Sequence, residues 1–149
     1  MKFSRIRPLL LPHSALLLLV FWMAALAGAK ADSPLEKSMQ QMKKAYKDLG
    51  AGLDKPLESN KETYLSLAET IKSSALKARD LVPEMAGKLP PDQKASMVKS
   101  YRESMDDFVG SVDALIKNIQ DAKWDEARKD LSLLKSDMKD GHREFRRED

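Results

Sequence analysis

Four stretches of this chain repeat their apolar residues at three- and four-residue steps, and no stretch alternates apolar with polar over the length of a strand. That spacing lays a narrow stripe along one face of an α-helix. The first stripe runs Leu35, Met39, Met42, Tyr46 and Leu49, and Gly50 and Gly52 ahead of Pro56 are expected to end its helix. The second opens at Ser59 or Asn60, has Glu62 in its first turn, and carries Tyr64, Leu67, Ile71, Ala75, Ala78 and Leu81 up to Pro83. From Pro83 to Pro91 the chain holds Gly87 and three prolines, the longest expected connector. The third helix is placed from about Pro91, where a missing N–H costs little, through Val98, Tyr101, Met105, Phe108, Val112, Leu115 and Ile119. After a short link at Asp121-Ala122-Lys123, the fourth carries Trp124, Ala127, Leu131, Leu134, Met138 and Phe145.

The opposite face of each helix is dense in Lys, Asp and Glu, so the stripes can leave water only against one another. Short links make sequential helices antiparallel. The expected fold is therefore all-α, an up-down-up-down four-helix bundle over residues 32–149. Helices of roughly 18 to 30 residues span roughly 27 to 45 Å, enough for a core without any cofactor. A functional reading has to rest on particular residues.

Residues 1–31 read differently. Lys2, Arg5 and Arg7 precede an unbroken apolar run from Ala15 to Gly28, and Ala29-Lys30-Ala31 fits a small-x-small cleavage site. This is the three-part pattern of a secretory signal peptide. An uncleaved anchor needs about 20 apolar residues, a length reached only by including Pro12 and His13. Cleavage after Ala31 predicts an exported protein, placed in a bacterial periplasm, with no membrane attachment once the signal is removed. Losing the four cations of this segment takes the formal net charge from +3 to −1. No concentrated positive footprint for nucleic acid is then expected. A monomer is expected.

The chain has no cysteine, which excludes disulfides, thiolate-held metals, thiol nucleophiles and covalent haem attachment through Cys-x-x-Cys-His. Beyond the signal segment His142 is the only histidine, so neither a two-histidine zinc site nor a Ser-His-Asp triad with a spare base can be assembled. No enzyme chemistry is expected. His142 follows Met138 by four residues and precedes Phe145 by three, close to the apolar stripe at the end of helix four. In the expected topology that end neighbours the start of helix one, where Met39 sits at a similar depth and Met42 one turn deeper. A neutral imidazole and a thioether opposed across a slot suit six-coordinate, low-spin haem iron, with Met42 as the rival sulfur ligand.

The residues resemble the soluble cytochrome b562 family of periplasmic four-helix b-type haem proteins, over essentially the whole of residues 32–149. The likeness is clearest at Leu35-Glu-Lys-Ser-Met39, at Phe108-Val-Gly-Ser-Val-Asp-Ala-Leu-Ile-Lys117 and at His142-Arg-Glu-Phe-Arg146. It implies Met39 and His142 as axial ligands, Tyr101 and Met105 bordering the haem, and Arg146 pairing with a propionate. The His-x-x-Phe-Arg segment also looks like the tail of the cytochrome c′ haem motif, but Met138 and Gly141 stand where the attaching cysteines would be. Non-covalent haem b is the implied cofactor. Within the b562 pattern, Gly141 replaces a larger residue and Met138 an Arg, which removes one candidate partner for a propionate.

With both axial positions filled, iron has no open site for substrate or oxygen, and electron transfer to redox partner proteins is the implied function. His142 would coordinate through Nε2, with Nδ1–H given to the Met138 carbonyl or the Asp137 carboxylate. Ile71, Ala75, Ala78 and Leu81, with Val98, Tyr101 and Met105, would supply apolar walls. Two other readings stay open: a five-coordinate haem sensor, and a cofactor-free binding or stress-response bundle. The dense charged faces are read as solvated surface, which a docking patch for a redox partner would resemble.

Overall fold

In the computed structural model the described residues are 32–146; the expected signal peptide and residues 147–149 lie outside them. Four α-helices follow in order: α1 (Pro34–Asp54), α2 (Lys61–Arg79), α3 (Pro91–Gln120) and α4 (Trp124–Phe145). No strand occurs among the described residues, and none of their helices is long and apolar enough to cross a membrane. Each helix packs on two neighbours in a ring, α1 on α2, α2 on α3, α3 on α4 and α4 back on α1. This is the four-helix bundle that the stripes require.

The start of α1 is held by a reciprocal cap. Glu36 N–H donates to Ser33 Oγ at 3.1 Å, Ser33 N–H donates to Glu36 Oε2 at 2.6 Å, and Pro34 occupies the first turn where no amide donor is needed. Ser33-x-x-Glu36 carries that signature openly in the sequence. At the other end α1 does not stop at its glycines but runs through Gly50 and Gly52 to Asp54. A Cβ on Gly52 would lie 2.5 Å from Cε1 of Tyr64, so this glycine makes room for a ring of α2 instead of ending α1. That ring is fixed on two further sides. It meets Trp124 edge to face at 5.9 Å, and its hydroxyl accepts from Leu57 N–H at 3.2 Å. Arg128 of α4 completes this end by donating Nη1–H to the Leu53 carbonyl at 3.0 Å, satisfying an acceptor that the end of α1 leaves open.

A 3-10 turn over Glu58–Asn60 leads into α2, which ends at Arg79, earlier than the stripe through Leu81 suggests. The carbonyl of Ala78 explains the difference: it accepts from Leu81 N–H at 3.0 Å and from the Tyr101 hydroxyl of α3 at 2.9 Å, so the chain turns there. A second 3-10 turn, Glu84–Lys88, buries Ala86 before Pro91 opens α3 as expected. Between α3 and α4, Ala122 adopts φ 55°. Ala122 N–H donates to the Ile119 carbonyl at 3.0 Å and Lys123 N–H to that of Asn118 at 2.8 Å, the paired bonds of a Schellman helix end.

The core is continuous along the bundle, but its composition changes. Leu49, Leu53, Leu115, Ile119 and Leu134 are fully buried, each contributing about 1.5–3 kcal/mol of apolar transfer. Towards the start of α1, core positions pass to Met42, Ala75, Ala78, Tyr101, Met105, Phe108 and Phe145.

Two substitutions are expected to move stability in opposite directions in urea denaturation. Gly52→Ala gains about 1 kcal/mol of helix propensity but must displace the clamped Tyr64 ring, and is expected to lower stability by about 1–3 kcal/mol. Ala122→Gly relieves a left-handed residue and is expected to raise it by about 0.5–1 kcal/mol.

Candidate functional site

Two contacts of Leu131 pin α1 to α4. The Tyr46 hydroxyl donates to the Leu131 carbonyl at 3.2 Å, and a Cβ built on Gly50 would meet Leu131 Cδ2 at 3.5 Å, ordinary van der Waals contact. Because the helices run antiparallel, equal steps from this level stay level. Eleven residues back along α1 is Met39 and eleven on along α4 is His142, each about 16 Å from the pin. Met39, Lys43, Tyr46 and Gly50 form one row of α1 at three- and four-residue steps, and Tyr46 and Gly50 show that this row faces α4. On α4 the corresponding row is Leu131, Lys135 and His142.

Met39 is half-buried and packs against the core, whereas Met42 is only 3% exposed, inside it. The rival sulfur is thus the deeper of the two. His142 lies at the surface end of the seam, and its side chain makes no hydrogen bond among the described residues. Its pKa is lowered from the usual imidazole value, first by partial burial of the ring and then by the positive charges of Arg146 and Lys43. Lys43 lies one turn from Met39, so its influence on His142 is a second sign that the two rows adjoin. The lowered pKa keeps the ring in its neutral, metal-binding form.

Asp137, one expected acceptor for Nδ1–H, belongs to the other flank of α4. Its pKa is raised by burial and by the negative charges of Asp140 and of Asp107 on α3, which places it towards α3. The five-residue step from Asp137 to His142 turns the helix by about 140°, the reason the two cannot share a face.

Behind the seam, Ile71, Ala75 and Ala78 of α2 are fully buried, and Tyr101 and Met105 of α3 are 2% and 8% exposed. Leu81 lies past the end of α2 and is half-buried, as is Val98. Burial raises the Tyr101 phenol pKa to about 12, and its bond to the Ala78 carbonyl holds the neutral ring in place. Phe145, which the sequence marks only as a stripe residue, stands edge to face on Tyr101 at 5.3 Å. Arg146 is exposed at the end of α4, with its N–H on the His142 carbonyl at 3.0 Å.

A groove of about 390 Å³ opens at this end but belongs to a different seam. It is lined by Leu89, Gln93, Ser96, Met97, Ser100, Glu144 and Phe145, and neither Met39 nor His142 borders it. Lys43 also escaped the reading of residue types, although its four-residue step from Met39 was the available signal.

The donor chemistry suits b-type haem. A half-buried thioether and a neutral imidazole occur at one height on facing rows, an apolar interior lies behind them, and two cations adjoin the imidazole. The electrostatics are open to measurement in the haem-free protein. The His142 proton NMR titration is expected to have its midpoint below 6.5, and Arg146→Gln to move it only part of the way back, because burial is the larger cause. Since the unfolded chain takes up this proton first, the His142 contribution to folding stability is expected to be lost as pH falls below about 6.5 and to be absent from a His142→Gln variant.

A family model, Cytochrome b562, matches residues 34–146, from the first residue of α1 to the residue after α4. No curated protein and no solved structure matches the chain. The match takes in all four helices and both Met39 and His142, and the chain belongs to the cytochrome b562 family of haem-binding helical cytochromes.

Proposed function

We propose that this protein is a periplasmic electron-transfer cytochrome that holds one non-covalent b-type haem between Met39 and His142. The observation that carries the reading is the α1–α4 register, in which these two side chains stand level on facing rows, eleven residues either way from Gly50 and Leu131. When bound, haem supplies a one-electron Fe(III)/Fe(II) couple.

The residues divide the remaining work. His142 offers Nε2 as a ligand only while unprotonated, and burial together with Arg146 and Lys43 favours that form. Met39 would offer a soft thioether to the iron, a donor suited to a one-electron couple more than to binding substrate or dioxygen. Lys43 and Arg146 are the cations available for propionate carboxylates, with the planar guanidinium suited to a bidentate pair. Ala75 and Ala78 keep the α2 wall thin, Ile71 lines it deeper in, and Tyr101 and Met105 form the α3 wall. Tying the Tyr101 hydroxyl to the Ala78 carbonyl keeps a protic group away from the apolar interior.

Haemin titration with oxidised and dithionite-reduced absorption spectra tests the assignment. One haem per chain and a sharp low-spin reduced spectrum are expected. Met39→Ala is expected to turn the spectrum high-spin and admit carbon monoxide, and His142→Ala to weaken binding by about 100-fold, or ~2.7 kcal/mol. Met42→Leu is expected to leave the spectrum unchanged. A wild-type spectrum that already binds carbon monoxide readily and ignores Met39→Ala would point to a five-coordinate sensor. Weak binding indifferent to both ligand substitutions would leave a cofactor-free bundle.

A further inference from the structure

Helix α4 carries opposite charge on its two flanks. Towards α3 it presents Asp130, which accepts from Asn118 Nδ2–H at 2.7 Å, and Asp137, which lies near Asp107. Towards α1 the row of His142 is flanked by Lys135, Lys139 and Arg146, and α1 opposes it with Lys43 and Lys47. These five cations are exposed and make no ion pair among the described residues. Nine other described cations are matched, as in Lys72–Asp113 at 2.7 Å, Arg79–Asp106 at 2.5 Å and Lys117–Asp121 at 3.2 Å, and the seven that are not, Lys37, Lys55, Lys77, Lys88, Lys94, Arg102 and Lys129, are scattered over four helices and two connections.

We propose that this basic flank of α1 and α4 is the docking surface for an acidic redox protein. What is exchanged there rests on the haem reading above; the charge pattern does not. Lys47, Lys135 and Lys139, which stay free when Lys43 and Arg146 pair with propionates, steer an anionic surface towards the seam that holds Met39 and His142, and small electrostatic interfaces suit electron-transfer encounters, which must form and part quickly. A protein fits better than a lipid surface. Basic helices that lie on anionic membranes insert apolar side chains beside their cations. The exposed large apolar residues here are Leu57, Leu76, Val82 and Leu133; the first three lie outside α1 and α4, and Leu133 is half a turn round α4 from His142.

The test is amide NMR of the ¹⁵N-labelled protein, with and without haemin, titrated at low salt with a short poly-glutamate peptide. Shifts are expected to concentrate on the stretches from Lys43 to Lys47 and from Lys135 to Arg146. Lys135→Glu combined with Lys139→Glu is expected to weaken binding at least about tenfold, and Lys94→Glu on α3 less than about twofold. Shifts scattered over the surface, or affinity indifferent to the double reversal, overturn the proposal. So does equal or tighter binding of the same flank to phosphatidylglycerol vesicles, which would make it a membrane surface. A flank response without haem binding sustains the surface and removes the haem reading, whereas haem binding without a flank response does the reverse.

Discussion

Leu131 is where α1 and α4 are tied. Its carbonyl takes the Tyr46 hydroxyl and its side chain rests on Gly50, and these contacts set the height at which every later residue of the two helices meets. A slip of one turn, about 5.4 Å, would set Met39 against Met138 or beyond the end of α4, and Lys43 away from His142. The pin acts through geometry more than energy, since one neutral hydrogen bond contributes about 1 kcal/mol net. Most of the stability comes from the buried Leu, Ile and aromatic side chains, which hold the four helices together but leave their heights less closely specified.

The core is not uniform along its length. All six methionines of the described residues, Met39, Met42, Met85, Met97, Met105 and Met138, lie in the halves of their helices, or in the connecting turn, nearest the start of α1. The opposite half uses Leu, Ile, Tyr and Trp. Methionine has more rotatable bonds and a polarisable sulfur, so it can refill space around a guest that a branched side chain cannot. That distribution matches a bundle in which one end has a fixed packing and the other must accommodate a large planar group.

The helices themselves were legible because each stripe is long and bounded by clear signals, Pro91 opening α3 and Asp121-Ala122-Lys123 separating it from α4. Structure departs from local pattern where a residue's role is set by a partner distant in sequence. Gly50 and Gly52 look like a helix stop, and only the Tyr64 ring shows that Gly52 is needed for a close approach. Leu81 continues the stripe of α2, yet the Tyr101 hydroxyl on the Ala78 carbonyl accompanies a turn that no local pattern encodes. For the candidate site, topology alone suggested that Met39 and His142 adjoin, because chain order decides which helix ends are neighbours. The places of Lys43 and Phe145 depend on the register between helices, and of the two candidate acceptors for the imidazole N–H, the Met138 carbonyl and the Asp137 carboxylate, the helical phase of Asp137 sets it towards α3.

The two ends of the α1–α4 seam are fastened unequally. Its hydrogen bonds Tyr46 to Leu131 and Arg128 to Leu53 lie at and beyond the level of Leu131 on the Tyr64–Trp124 side, whereas on the His142 side Lys43 and Lys47 of α1 oppose Lys135 and Lys139 of α4. Like charges on either side make that end of the seam the one expected to open first, about Leu131, while the Tyr64–Trp124 end stays closed. Such subglobal opening costs less than unfolding the domain. Opening of that kind would let a rigid planar molecule enter or leave between the helices without the protein losing its fold.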